Sequence, residues 1–434
     1  AYNAHAVKRK NTRSLAPPGI KPHPIIDAGS AAVIGIAHAL QNCRGKRPHF
    51  MIILEMLFWG IACLLILAWV VYPLCMLSLA RKPGPSPQTG RQTPARSPGF
   101  PGCSIILPVF NGGAQIREKL GDLLAQDLPT AQLEIIVVSD GSADDTLDKA
   151  RSFHDDRIRV FEHSSRQGKS AAQNLGVSKA RHEILVFTDL ESRMAPDCLH
   201  TVLPYFDDPG VGCVGTNVMF QKPDWDDSGI QAAYARLENR IRISEAARGV
   251  LISLFGSVFA VRRACFQPLD PDTGDDFIIP LDCALQGCTT AFAEQARVCD
   301  AWSADTLLDE IKVRRRLTSR NLLGLWRRKM LLNPFRFPGL AFSLFAHKIL
   351  RWFSPLLLIL LFGLSCLLAF EHPVYLVLLA AQLCLYALCT AGLFLPGLRS
   401  RLPGLGAVCT FMAAQAGMGW GLLDTLRRGR IYSY

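Results

Sequence analysis

The sequence predicts an α/β domain built on a doubly wound, mostly parallel sheet and set between transmembrane helices. Three observations carry this. Uncharged apolar runs long enough to cross a bilayer lie within residues 56–80 and 352–423. Between those regions, short β-rich runs alternate with amphipathic stretches, the pattern of a parallel sheet with crossover helices. Charge is also divided by region: residues 101–320 carry 24 Lys and Arg against 32 Asp and Glu, and the remainder carries 23 against 4.

This composition excludes several classes. Half of the 434 residues are hydrophobic, 19% are charged and the mean hydropathy is +0.20, which is not the profile of a disordered chain. Fourteen cysteines form no CxxC pair and no zinc-ligand spacing, so they read as reduced core thiols rather than a disulfide scaffold. The net charge of +11 does not mark a nucleic-acid binder, because the central domain is acidic and the basic residues flank apolar segments.

Taken in order, residues 1–50 form a basic leader expected to be disordered and outside the folded protein, with Met51 close to the functional start. Met56–Ala80 is the first span, within a transmembrane segment over 51–80, and Arg81–Gly102, with six prolines, is a linker. Ser104–Val109, Leu133–Val138, Ile158–Phe161 and Glu183–Phe187 read as strands. Ile116, Leu120, Leu123 and Leu124 give a helical stripe, Ser142 with Asp145 a capping-box helix start, and Ser170–Ala180 another helix.

After residue 320, the mixture of Trp326, Phe335, Phe337 and Phe345 with arginines and lysines over 321–350 predicts interfacial helices. Trp352–Phe370, Val374–Leu398 and Leu402–Leu423 are three further segments over 351–424. The last is glycine-rich and either tightly packed or re-entrant, and residues 425–434 are a basic tail. Arg81, Lys82, Arg91 and Arg96 after the first span place the central domain in the cytosol by the positive-inside rule, whereas Arg427, Arg428 and Arg430 run against it.

In a doubly wound sheet, ligands bind beyond the carboxyl ends of the strands. Three polar segments fall there: Pro108-Val109-Phe110-Asn111, Ser139-Asp140-Gly141 with the acidic run that follows, and Thr188-Asp189-Leu190-Glu191. Each Asp alone is as readily a helix cap or turn residue. Together and in this order, they resemble the family 2 glycosyltransferases, the group that includes cellulose, hyaluronan and poly-N-acetylglucosamine synthases. The resemblance covers about 103–320, and the flanking apolar segments fit the membrane-bound branch.

The resemblance implies a GT-A-like nucleotide-diphospho-sugar transferase fold over 103–320. It implies that Pro108, Asn111 and Asp140 hold the nucleoside, that Arg166-Gln167-Gly168-Lys169 followed by Asn174 lies near the nucleotide, and that Asp189 and Glu191 occupy the metal motif, usually Asp-x-Asp. Gly256 through Arg262-Arg263 resembles the acceptor-side segment. Asp275-Asp276 resembles the acidic pair whose second member is the catalytic base.

The chemistry supports these assignments. A nucleotide sugar leaves as a diphosphate whose charge Mg²⁺ or Mn²⁺, held by one or two carboxylates, neutralises. An acceptor hydroxyl needs a carboxylate to take its proton, and Asp275 beside Asp276 raises the affinity of that base for it. The alternative for the pair is a polar loop near Pro271, Asp272 and Gly274.

Two departures stand out. Asn111 is followed by Gly112-Gly113 rather than Glu. Where polymer synthases carry Gln-x-x-Arg-Trp, this chain reads Lys312-Val313-Arg314-Arg315-Arg316-Leu317. Arg314 and Arg316 either bind diphosphate oxygens or form a plain juxtamembrane cluster.

The expected activity is transfer of one or a few sugars from a nucleotide sugar, a UDP-sugar by preference, with inversion. The acceptor is a lipid-linked or growing glycan, and the setting is envelope or exopolysaccharide synthesis at a bacterial inner membrane. Two alternatives stay open: a processive synthase with coupled export, and a nucleotide-binding pseudoenzyme subunit of a polysaccharide secretion complex with its secretion partners.

Overall fold

The computed structural model describes residues 49–79, 101–220, 228–300, 306–402 and 404–428. Apart from their first or last residues, the leader, the 81–102 linker and the basic tail therefore lie outside the described residues. The chain divides into two units, 1–56 and 57–434, and the described part of the first is helical.

Among the described residues eight strands form one mixed sheet: β1 (Cys103–Val109), β2 (Leu133–Asp140), β3 (Ile158–His163), β4 (Ile184–Thr188), β5 (Arg193–Met194), β6 (Val211–Phe220), β7 (Val258–Arg262) and β8 (Thr289–Asp300). Their order is β3-β2-β1-β4-β7-β6-β8-β5. The first four pair in parallel, β7 runs antiparallel to β4 and β6, β6 and β8 are parallel, and β5 is antiparallel to β8. The order turns at β1, which has β2 on one side and β4 on the other, so this is the crevice where a doubly wound sheet binds ligands. Register pairs Val109 with Ser139 and Ile106 with Phe187, which brings Asn111, Asp140 and Asp189 to the same end of the sheet.

Buried on both faces, β1, β2 and β4 are nearly continuous apolar runs, as central parallel strands must be. Alternation along each strand divides them between two cores. Ile105, Leu107, Ile135 and Val137 pack with Ile116, Leu120 and Leu123 of α2. Ile106, Ile136 and Val138 pack with Ala172 and Val177 of α4 and with Phe277 and Ile278 of α7. Besides the short helix Pro396–Arg401, the helices among the described residues are α1 (His49–Ser78), α2 (Ile116–Leu124), α3 (Thr146–Arg151), α4 (Lys169–Lys179), α5 (Cys198–Val202), α6 (Ser228–Ala246), α7 (Asp275–Leu285), α8 (Leu307–Arg327), α9 (Pro338–Leu368), α10 (Pro373–Phe394) and α11 (Leu405–Arg428). The capping box expected at Ser142 is not the one used. Helix α3 starts at Thr146, whose amide and hydroxyl both donate to Asp144.

Among the described residues three helices, α1, α9 and α10, are long and apolar enough to cross a membrane. The glycine-rich segment expected as a further span becomes α11, which is not among them. Its glycines serve close packing instead: a Cβ on Gly417 would sit 2.5 Å from the carbonyl of Ile311, and one on Gly421 2.7 Å from that of Arg315. Both contacts are to α8, and Arg315 closes the seam by pairing with Asp424.

Arginines near the end of α8 tie it to the segment 270–282. Arg327 makes a bidentate pair with Asp272 (2.9 and 3.1 Å), and Arg328 makes one with Asp282 (2.5 and 2.6 Å). The second pair is buried at both ends. Removing one member of a buried pair leaves an uncompensated charge, at a cost of about 3–5 kcal/mol. Arg328→Met is therefore expected to lower the melting temperature sharply, and Arg328→Met with Asp282→Leu much less. Equal losses in thermal unfolding of the two variants would contradict this account.

Candidate active site

The crevice is lined first by turns that the chain holds rigid with its own polar groups. Asp140, at the end of β2, accepts hydrogen bonds from the amides of Gln167 (2.8 Å) and Gly168 (2.7 Å) and contacts His163 Nδ1 at 3.0 Å. Both of its oxygens thus brace the 166–168 turn. Gly141 takes φ +70°, and a Cβ there would lie 2.5 Å from the amide nitrogen of Arg166, so only glycine admits this approach.

Asn111, also left-handed at φ +49°, accepts from the amide of Ala143 at 2.9 Å, while its own amide donates to Ser142 at 3.0 Å. Beside it the Arg166 guanidinium lies 4.0 Å over the partly exposed ring of Phe110, a flat cationic face at the mouth of the crevice. Pro108 lies half-buried on β1, in register with Val138.

The acidic residues meet deeper in. Lys169, the first residue of α4, reaches Asp189 Oδ1 at 2.7 Å and Asp275 Oδ2 at 3.1 Å. One turn on, Gln173 donates to the same Asp275 oxygen at 2.5 Å. Asn174 clamps Leu269 by both its groups, at 2.9 and 2.8 Å, fixing the approach to the acidic pair.

These contacts separate the carboxylates. Burial alone would raise Asp275, but the Lys169 charge, the Gln173 hydrogen bond and the Arg320 charge outweigh it and hold it below its ordinary range. Asp276 is raised, by burial first and then by the neighbouring Asp275 charge. Among the described residues no side chain donates a hydrogen bond to its carboxyl, and only its main-chain oxygen is engaged, by Leu254 at 3.0 Å. Asp189 is pushed up to about 6 by burial, against the pull of Lys169. Glu191 is exposed, with no ion pair among the described residues.

The three consecutive arginines of α8 point to three destinations, as successive helical positions 100° apart must. Arg316 lies within electrostatic reach of Asp189 and Asp276. Arg315 faces α11. Arg314 pairs with Glu310 at 2.6 Å and lies over Tyr234, so it does not join the others. Among the described residues no cluster of three or more His, Cys, Asp or Glu is arranged to hold a metal.

Gln173, Arg320 and Lys119 are site residues absent from the sequence reading. Lys119 of α2 is fully buried and donates to Thr188 Oγ1 (3.0 Å), the carbonyl of Ser192 (2.5 Å) and Ser192 Oγ (3.1 Å), holding both ends of the loop that carries Asp189 and Glu191. Burial lowers it to about 8, with Asp122 opposing. The available signal is a lysine three residues after Ile116, on the apolar stripe itself.

Residues 104–266 match the family described as Glycosyl transferase family 2. The glycosyltransferase AglE of Haloferax volcanii is 32% identical over 127 residues, 29% of this chain and 42% of that protein. An uncharacterized protein of Mycobacterium tuberculosis is 30% identical over 146 residues, 34% and 44% of the two chains. The chain thus spans less than half the length of either relative. In fold, it is similar to the mannosyltransferase PcManGT from Pyrobaculum calidifontis, solved in complex with GDP-Man and Mn²⁺. That likeness has a TM-score of 0.63, covers 87% of this chain and 98% of that one, and comes with 21% identity. Residues 104–266 thus resemble the family 2 glycosyltransferases, and the chain carries a GT-A-like fold.

Hydrogen bonds to a charged donor contribute about 1.5–3 kcal/mol each. Lys119→Met is expected to speed amide hydrogen exchange across 188–192 by at least about tenfold while the exchange of β1 and β2 changes little. Unchanged exchange in the loop would refute the clamp.

Proposed function

We propose that the chain is a membrane-embedded inverting glycosyltransferase that moves a sugar from a nucleotide-sugar donor, a UDP-sugar by preference, to a hydroxyl of a lipid-linked or glycan acceptor. The observation that carries this reading is the division of labour in the acidic pair: Asp275 is bonded by Lys169 and Gln173, and among the described residues no side chain donates a hydrogen bond to the Asp276 carboxyl. A carboxylate kept basic and unengaged is suited to take a proton from an acceptor hydroxyl. As that proton passes to Asp276, the acceptor oxygen bonds to the anomeric carbon and the bond to the diphosphate breaks on the opposite face, so an α-linked donor gives a β-linked product. Lys169 and Arg316 lie where the departing negative charge develops.

The donor set suits Mg²⁺ or Mn²⁺. Asp189 and Glu191 are two carboxylates on one loop, and such ions bind through one or two carboxylates plus substrate phosphates rather than closed protein cages. When bound, the ion would neutralise diphosphate charge. Asp189 and Glu191 would hold it, and Lys119 would keep their loop in place.

Support for short products comes from α8. Leu317 stands where processive relatives carry a stacking Trp, and the nearby Trp326 is 71% exposed, packed under Lys329 rather than turned inward. The three candidate spans and the basic residues after α1 support a membrane location with the catalytic domain in the cytosol, in envelope or exopolysaccharide synthesis.

Asp276→Asn should lose about 10²–10⁴ in kcat with the donor KM nearly unchanged. Because the base works deprotonated and its carboxyl is raised, the wild-type rate should climb with pH along a limb above about 4, the ordinary carboxylate position, and residual turnover of the variant should lack that limb. Near-normal turnover of the variant would sink the assignment. Size-exclusion of radiolabelled product should show one or a few added sugars; chains of hundreds would favour the processive alternative.

A further inference from the structure

A second charged cluster lies where α1, α6 and α9 meet. Glu238 binds Arg351 (2.7 Å) and His347 Nε2 (3.2 Å), and Glu245 binds His347 Nδ1 (2.6 Å) and accepts from the Tyr72 hydroxyl (2.6 Å). Two glutamates therefore face three fixed cations, Arg242, Lys348 and Arg351. The mismatch falls on two of them. Arg242, 5% exposed, comes only to within 3.8 Å of Glu238, and its Nη1 is buried without an acceptor. Lys348 has no hydrogen-bond or ion-pair partner among the described residues. Ser253 Oγ, buried beside Arg242, also lacks a partner.

This excess of positive charge borders the base. The Nε of Arg242 donates to the carbonyl of Ser253 at 3.2 Å, and its guanidinium lies 3.8 Å over Phe255. The same short segment lines Asp276: the amide of Leu254 donates to it, and a Cβ on Gly256 would touch its carboxyl carbon at 3.8 Å. Lys348 is close enough to Asp276 for the two charges to interact. Buried donors without acceptors are costly and call for a partner: among the described residues Arg242 Nη1 and Ser253 Oγ are such donors and Glu245 Oε2 is one unpartnered acceptor, and with the half-buried Lys348 the balance of charge calls for an anion.

Depth says which anion. Helix α9 has 31 residues, about 46 Å of helix against an apolar layer of about 30 Å, and Lys348 lies in its first half. Tyr72 is two turns from the end of α1. The cluster thus sits where these helices leave the apolar layer, the level of lipid headgroups. We infer that Arg242 and Lys348 hold the phosphate of an acceptor lipid, whose headgroup hydroxyl then lies at Asp276. This rests on the transferase reading and names its acceptor class: a phosphate-bearing lipid rather than a neutral one.

The test measures lipid binding to the full chain in detergent by native mass spectrometry, with phosphatidylglycerol, diacylglycerol of the same acyl chains, and inorganic phosphate as probes. Phosphatidylglycerol should bind at least tenfold more tightly than either of the others. Arg242→Met and Lys348→Met should each weaken it at least fivefold, Arg242→Lys should retain most of it, and nucleotide-sugar binding should stay unchanged. Equal binding of diacylglycerol, or methionine variants that bind like wild type, would overturn the proposal. Inorganic phosphate binding as tightly as the lipid would overturn the lipid assignment. The comparison of probes on the wild-type chain stands even if a variant fails to fold. Donor turnover, scored in parallel, judges the transferase reading separately.

Discussion

A single ammonium organises this site. Lys169 lies between Asp189, on the loop after β4, and Asp275, at the start of α7, and bonds both carboxylates. Without it, these buried acids and Asp276 would repel one another in a poorly solvated crevice. Its place is fixed by the backbone: Gly168 turns with φ +97°, and Asp140 pins the Gln167 and Gly168 amides, so α4 begins where the crevice needs a charge. Asp140, expected to meet the nucleoside, therefore also acts one step back, by shaping the turn that presents Lys169.

The differentiation of the acidic pair follows from that placement. Two neighbouring aspartates are chemically alike in sequence. In the fold, one is bonded by a cation and an amide donor, while the other has cations near it but none bonded to its carboxyl, so their affinities for protons move in opposite directions. Helix α8 completes the frame by fastening the 270–282 segment with Arg320, Arg327 and Arg328, while Arg316 faces the crevice. A segment that reads as amphipathic and juxtamembrane thus also carries one wall of the site.

Much of this was legible in the sequence. Continuous apolar runs with polar residues at their ends gave β1, β2 and β4 and pointed to the crevice, because a parallel strand buried on both faces has no other pattern. The acidic motifs were visible because charge rarely follows such runs by chance. Three features were not legible. Lys119 is a charge inside an apolar stripe, and only the carbonyl and hydroxyls that reach it explain its burial. The separate destinations of Arg314, Arg315 and Arg316 depend on how α8 is rotated, which its neighbours in space decide. The glycines of α11 left a tightly packed helix and a re-entrant segment both open, because each uses small residues; only the neighbours in space show the close approach to α8.

The central claim is that the Lys169-centred cluster receives the diphosphate of a nucleotide sugar. Its most direct test is nucleoside diphosphate release by the full chain, measured over a panel of nucleotide sugars with Mn²⁺ for the wild type and Lys169→Met. The account predicts release from at least one donor by the wild type and a loss of at least about a hundredfold in the variant, about 2.7 kcal/mol of barrier. Release by the variant at the wild-type rate, or no release from any donor by the wild type, would contradict it.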